Sequence, residues 1–365
     1  MKRPNLFYHA TKELSQDAFL CYVFSYFNEE YKNFYPKEYK FSNFFIKDIF
    51  KRLNINIEPK KLEIKRQHLN IDVLLIVNDL IYIIIEDKIH ATEGHKQIES
   101  YIKKVANEYK TTEKNIYSLY YKTGDESYNS LEYKKKEYNN NFAYMMREDI
   151  ISIFENYNGD NIIILDYIEN LKSMEEERNN FRNIDLRKEK LSWNEIVGLY
   201  NQLDKEFYPL KENGNFPKDS NGEENFFDWE YVSNPSGGFY SYFFCEGLMY
   251  EKYHFYPQIE ACENYFRLVI KLNPWSKPEE FQELKKQFDL NKLYRCLEIL
   301  KKYFGNSIEK PKSFRPKSAT MTVGVFNDWI VLDENGHINT KETVLNINEK
   351  LKTLISLKDE FKDLI

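Results

Sequence analysis

Residues 71–88 read IDVLLIVNDLIYIIIEDK, two apolar runs broken by Asn78 and Asp79. The runs 71–77 and 80–88 are too short for a membrane span and rich in β-branched residues, so they predict a β-hairpin. Odd and even positions are both apolar, which predicts strands buried on both faces. Asp72, Glu86, Asp87 and Lys88 interrupt these runs, and a buried ionised group is costly unless paired or bound to a metal. Glu86 and Lys88 share a parity and point to one face of an extended strand. Whether Asp72 joins them depends on the turn. A two-residue loop, Asn78–Asp79, pairs Asp72 with Ile85 and turns Glu86 away. A three-residue loop that includes Leu80, or one bulge, sets Asp72 opposite Glu86. The longer loop or a bulge is expected.

Two carboxylates converging beside a lysine make a site for Mg²⁺, an ion that takes few protein oxygens and keeps several waters. Such an ion polarises a phosphoryl oxygen and lowers the pKa of an attacking water. Neighbouring carboxylates raise the pKa of a lysine. Lys88 is therefore expected to orient water and stabilise developing charge rather than act as a base.

This Asp, followed by E-x-K on the next strand, resembles the core motif of the PD-(D/E)XK nucleases. Downstream, HKQIESY holds Gln97 and Tyr101 four residues apart on one helical face, similar to the Q-x-x-x-Y motif of the RecB-like branch. Upstream, ATKELSQDAF resembles the first-helix segment of a bacterial group in the superfamily, its family four. The resemblance spans about residues 5–180 and implies a mixed sheet flanked by helices. It also implies Asp72, Glu86, Glu13 and the main-chain carbonyl of Asp87 as ligands of Mg²⁺ or Mn²⁺, with Asp17 a second helix candidate. Lys88 would be catalytic, and Gln97 and Tyr101 would face the scissile strand. The sequence departs from the pattern in having Ile71 where Pro is frequent, and in lacking a Gly before Gln97.

Outward from the hairpin, periodicity predicts helices at 11–34, with Thr11 or Ser15 as cap, and at 41–53, 94–109, 147–157 and 161–178. Strands are expected at 116–122 and 142–146, and residues 124–141 read as a polar insertion. The order is that of an α/β layer fold. The charged stretch near 174–190 suggests two domains, residues 1–185 and 190–365. The second is an α+β domain with helices near 192–206, 278–288, 291–304 and 341–362. Its strands are expected at 226–233, 239–246, 253–259, 266–272 and 320–326. Its alternating aromatics Trp229, Phe239, Tyr240, Tyr242 and Phe243 could stack on bases, but core packing is the better reading.

Composition narrows the alternatives. The net charge of −6 exerts no global pull on a phosphate backbone, so a nucleic-acid enzyme here needs local basic patches and bound cations. Lys60, Lys61, Lys65, Arg66, Lys103, Lys104 and Lys134–Lys136 are the basic runs, each read first as a solvated face. The four cysteines are scattered without a CxxC pair, which argues against a zinc ribbon or a disulfide framework. No secretory signal, membrane span or phosphate-binding Gly-rich loop is visible. The expectation is a cytoplasmic nuclease acting on nucleic acid, DNA before RNA, with no membrane partner. A role against phage or foreign DNA, and a homo-oligomer or defence-system partner, follow only from the resemblance. The competing reading is an inactive, nuclease-like binding or sensing module. Members that lose activity generally lose the lysine or a carboxylate, and here all three residues are present. His90 and His95 flank the motif and are left outside the catalytic set.

Overall fold

In the computed structural model the apolar runs pair antiparallel as β2 (Ile71–Val77) and β3 (Ile81–Lys88), with Val77 opposite Ile81 and Val73 opposite Ile85. The loop is thus the three residues 78–80, the longer of the two alternatives. Asn78 and Asp79 adopt left-handed φ of 54° and 56°, which short polar side chains tolerate. Asn78 Oδ1 accepts the Lys60 and Lys61 N–H groups at 2.8 and 3.0 Å. That ties the loop to the chain entering β1 (Leu62–His68). The structure describes residues 4–10, 12–89, 94, 96–138, 141–218, 222, 226–233, 237–244, 248–250, 253–262, 264–274, 290–312, 314 and 321–361.

The chain divides into two compact units: Met1–Glu126 with Ser130–Glu176, and Ser127–Asn129 with Glu177–Ile365. The first holds a five-stranded mixed sheet in sequence order, completed by β4 (Ile116–Lys122) and β5 (Phe142–Met146). Strands β1–β3 are antiparallel, and β3, β4 and β5 run parallel. One face packs on α1 (Glu13–Ser25), α2 (Pro36–Arg52), α5 (Arg147–Phe154) and α6 (Ile162–Asn179). The other packs on α3 (Gln97–Tyr109) and α4 (Tyr128–Tyr138). Burial on both faces explains why the hairpin lacks polar alternation.

Three expectations need correction. The first helix stops at Ser25, not 34, and the second starts at Pro36, not 41. Tyr35 precedes a proline, which disfavours the helical region, and it sits at φ −133°, ψ 59°. Proline then serves as the first helical residue. Helix α4 occupies the supposed polar insertion. It buries only Leu131 and Lys134, too few to mark a period. Strand β1 carries no clear sequence signal, because its alternation, Leu62 and Ile64, gives way to polar residues on an edge strand. The proposed cap Thr11 lies outside the described residues, and α1 begins after Lys12 with no side-chain cap.

The second unit carries an antiparallel seven-stranded sheet. It comprises β6 (Phe227–Val232), β7 (Phe239–Phe244), β8 (Leu248–Tyr250), β9 (Tyr253–Cys262), β10 (Tyr265–Pro274), β11 (Ile308–Glu309) and β12 (Met321–Phe326). Their order is β11-β12-β10-β9-β7-β6, with β8 on β9. Helices α7 (Trp193–Glu212), α8 (Leu290–Phe304) and α9 (Thr340–Ser356) supply its core. The helix expected near 278–288 lies outside the described residues. Trp229 and Tyr242 are buried in this core, so these aromatics pack rather than await bases.

Asp204 on α7 accepts Tyr242 OH at 2.8 Å, Trp229 Nε1 at 3.1 Å and Tyr128 N–H at 2.8 Å. Burial outweighs these donors and pushes its carboxyl up to about 7. A folded pKa above the unfolded one stabilises at low pH, and that contribution is lost as pH rises through about 7. Through this group the chain should resist urea better at pH 5 than at pH 8 by about 3 kcal/mol. Asp204→Asn should flatten that slope; an unchanged slope would exclude Asp204 as its source.

Candidate active site

Even positions of the hairpin (Leu74, Ile76, Tyr82, Ile84) pack toward Tyr101 and Val105 of α3. Odd positions pack on the opposite face. Asp72, Glu86 and Lys88 continue the even set past the last apolar residues. The register that pairs Val73 with Ile85 puts Asp72 across from Glu86. Lys88 Nζ forms an ion pair with Glu86 Oε1 and stands 3.9 Å from Asp72 Oδ2. The Asp87 N–H donates to Asp72 Oδ2 at 3.0 Å. The three side chains therefore meet at one end of the hairpin.

Glu86 is 0% exposed and Lys88 8%, so the local dielectric is low and charge matters. Burial pushes the Lys88 ammonium down. The hydrogen bond to Glu86 and the charges of Glu86, Asp72 and Glu13 outweigh it and leave Lys88 above its usual value. Burial pushes the Asp72 carboxyl up, opposed by the Asp87 N–H and by Lys88. Lys88 is thus a held cation at neutral pH.

Glu13, the first residue of α1, accepts the Ile89 N–H on Oε1 at 3.1 Å, directly after Lys88. Asp17, one turn on, accepts Gln67 Nε2 at 2.8 Å. Asp87 faces the other way, as strand parity requires, and Gln16 Nε2 donates to its Oδ1. Burial drives the Asp87 carboxyl well above the ordinary range, with Asp17 adding to the rise. Only the Asp87 carbonyl is on the site side, where it accepts Lys88 Nζ at 3.2 Å.

On α3, Gln97 Nε2 donates to Tyr101 OH at 2.8 Å, and Gln97 Oε1 accepts the Gly94 N–H at 3.0 Å. Burial raises the Tyr101 phenol and the Gln97 bond lowers it; the charges of Glu86 and Asp72 raise it further. Tyr101 packs against the even-position residues Leu74, Ile76, Tyr82 and Ile84, so the pair is on the same side of the sheet as the carboxylates. His90 and His95 lie outside the described residues. The basic runs are partly consumed internally: Lys61 pairs with Asp79, Lys104 donates to the Leu69 carbonyl, and Lys134 pairs with Glu126.

Among the described residues, no three His, Cys, Asp or Glu side chains are gathered closely enough to hold a metal ion. The donor chemistry still fits a hard divalent cation. Two carboxylates, Asp72 and Glu86, flank one ammonium, and Glu13 lies near enough for its charge to raise the Lys88 pKa, so the site carries excess negative charge. Lys88 occupies the space between Glu86 and Asp72 and offsets part of that repulsion.

Two residues went unnoticed in the sequence. Lys122 ends β4 in register with Lys88. It is 0% exposed, and burial lowers its pKa against the opposing charges of Glu126, Asp125 and Glu13. Its only sequence signal is a charge closing an apolar strand, the same signal that singled out Lys88. Gln67 bonds to both Asp17 and Asp72, and no sequence pattern marks it, because β1 itself was not visible.

Among the described residues, no helix is long and apolar enough to cross a membrane. No curated protein and no solved structure gives a match. A family model described as the PD-(D/E)XK nuclease superfamily matches residues 12–216, more than half of the 365-residue chain. With a helix-flanked mixed sheet that carries Asp, Glu and Lys at one end of its hairpin, the chain belongs to the PD-(D/E)XK nuclease superfamily.

Proposed function

We propose that this chain is an active, divalent-metal-dependent nuclease that hydrolyses phosphodiester bonds, in DNA before RNA. The meeting of Asp72, Glu86 and Lys88 carries the reading. Asp72 and Glu86, with Glu13 and the Asp87 carbonyl, would hold Mg²⁺ or Mn²⁺. Such an ion, when bound, supplies Lewis-acid activation of the phosphate and an acidified water. The charge of Lys88 orients that water and stabilises the negative charge that grows on the phosphate oxygens. Gln97 and Tyr101 hold the scissile strand against the site, as in the RecB-like Q-x-x-x-Y branch. In this reading residues 1–185 form the nuclease domain and residues 190–365 recognise substrate or regulate the site. A cytoplasmic role against phage or foreign DNA fits the same reading.

Plasmid, linear duplex, single-stranded DNA and RNA should be incubated with Mg²⁺, Mn²⁺ or EDTA. DNA is expected to be cut with either ion and left intact in EDTA. Binding without cleavage in any metal would favour the inactive sensing module instead, and cleavage of RNA alone would reassign the substrate.

A further inference from the structure

The β1–β2 ladder runs from Leu62↔Val77 to Arg66↔Val73 and resumes at His68↔Ile71. Gln67 is thereby left opposite Asp72. Its φ is 51°, the left-handed region that an L residue without a short polar side chain adopts at a cost. The cost places its amide between two acids. Nε2 donates to Asp17 Oδ2 at 2.8 Å and to Asp72 Oδ1 at 3.3 Å. The other Asp72 oxygen accepts the Asp87 N–H from β3 at 3.0 Å. Asp72 is therefore gripped from both neighbouring strands, one oxygen each. Asp17 lies one turn beyond Glu13 on α1, so the same amide also links Glu13's helix to Asp72's strand.

We propose that Gln67 is a positioning residue for the metal site. It fixes the Asp72 carboxylate and sets the spacing between Asp72 and Glu13 before the ion arrives. The inference rests on the reading of Asp72 as a metal ligand. Outer partners that orient a ligating carboxylate typically change metal affinity by about 10–100-fold when removed. Strained backbone held in place beside such a group is what pre-organisation requires.

The test uses the full chain and Mn²⁺ as probe, with calorimetric titration beside cleavage kinetics. Gln67→Leu deletes the amide. Gln67→Gly deletes it and also relaxes the left-handed backbone, so its melting temperature should be unchanged or higher. Both variants are expected to bind Mn²⁺ about tenfold more weakly, and kcat measured at saturating Mn²⁺ should also fall. A variant with a lower melting temperature but wild-type Mn²⁺ affinity would reduce Gln67 to a structural residue and overturn the proposal. Wild-type chain that binds no Mn²⁺, with Asp72→Asn indistinguishable from it, would instead remove the metal site itself, and the role of Gln67 with it.

Discussion

Replacing Lys88 with methionine should lower cleavage by about a thousandfold, the size of loss seen when one charge-stabilising donor leaves a transition state. The ammonium lies against Glu86 and 3.9 Å from Asp72, where, in the proposed reaction, charge would grow as the phosphodiester bond breaks. Methionine keeps the stem's bulk and removes only the charge, so packing should survive. Lys88 also neutralises the fully buried Glu86. Breaking a buried pair by removing one partner costs about 3–5 kcal/mol. The metal-free variant should therefore melt below wild type, and Mn²⁺ should restore part of the difference by replacing the lost positive charge. The measurements are initial cleavage rates on linear duplex and thermal melts with EDTA or Mn²⁺. A variant that cleaves within tenfold of wild type would show that Lys88 is only the structural partner of Glu86.

The second large effect lies at Gly124, just beyond β4. Its φ is not left-handed; the constraint is proximity. A Cβ there would stand 1.7 Å from the Ile89 carbonyl oxygen and 2.8 Å from its carbon. Both are backbone atoms, so no rotamer change relieves the clash. The residue before it is also pinned three ways. The Thr123 N–H donates to the Lys88 carbonyl at 3.1 Å, the Thr123 hydroxyl to Gln16 at 2.9 Å, and Arg147 to the Thr123 carbonyl at 2.9 Å. Gly124→Ala must push apart the ends of β3 and β4, which carry Lys88 and Lys122. A loss of about 3 kcal/mol is expected, equivalent to a fall of roughly 6–12 °C in melting temperature for a unit of this size. Cleavage should drop even in the fraction that remains folded, because the Lys88–Asp72 spacing changes. A melt within about 2 °C of wild type, a change of under about 1 kcal/mol for a unit of this size, together with full activity would show that the two strand ends are free to part.

Much of the site was legible because its signals are local. Charges closing an apolar strand can be read from burial cost alone, and parity alone puts Glu86 and Lys88 on one face. Even the loop length follows from the need to bring Asp72 to that face, and Val77↔Ile81 pairing gives three residues. The Gln97–Tyr101 contact follows from helical spacing, and their bond is 2.8 Å. Other features were not local. Strand β1 draws its stability from the ladder with β2, and α4 from one leucine and a lysine paired with Glu126.

From the residues alone came the candidates: which acids and which lysine could meet, and the strand pair that carries them. These are matters of burial cost and a period of two, and both are written along a single stretch of chain. Tertiary structure alone decided what surrounds that chemistry. It set Gln16 against the Asp87 side chain and Glu13 against the end of β3, and brought Gln67 and Lys122 alongside. Those placements depend on contacts between segments from about 35 to about 75 residues apart, whose closing entropy is met by the packed sheet and leaves no mark on neighbouring residues.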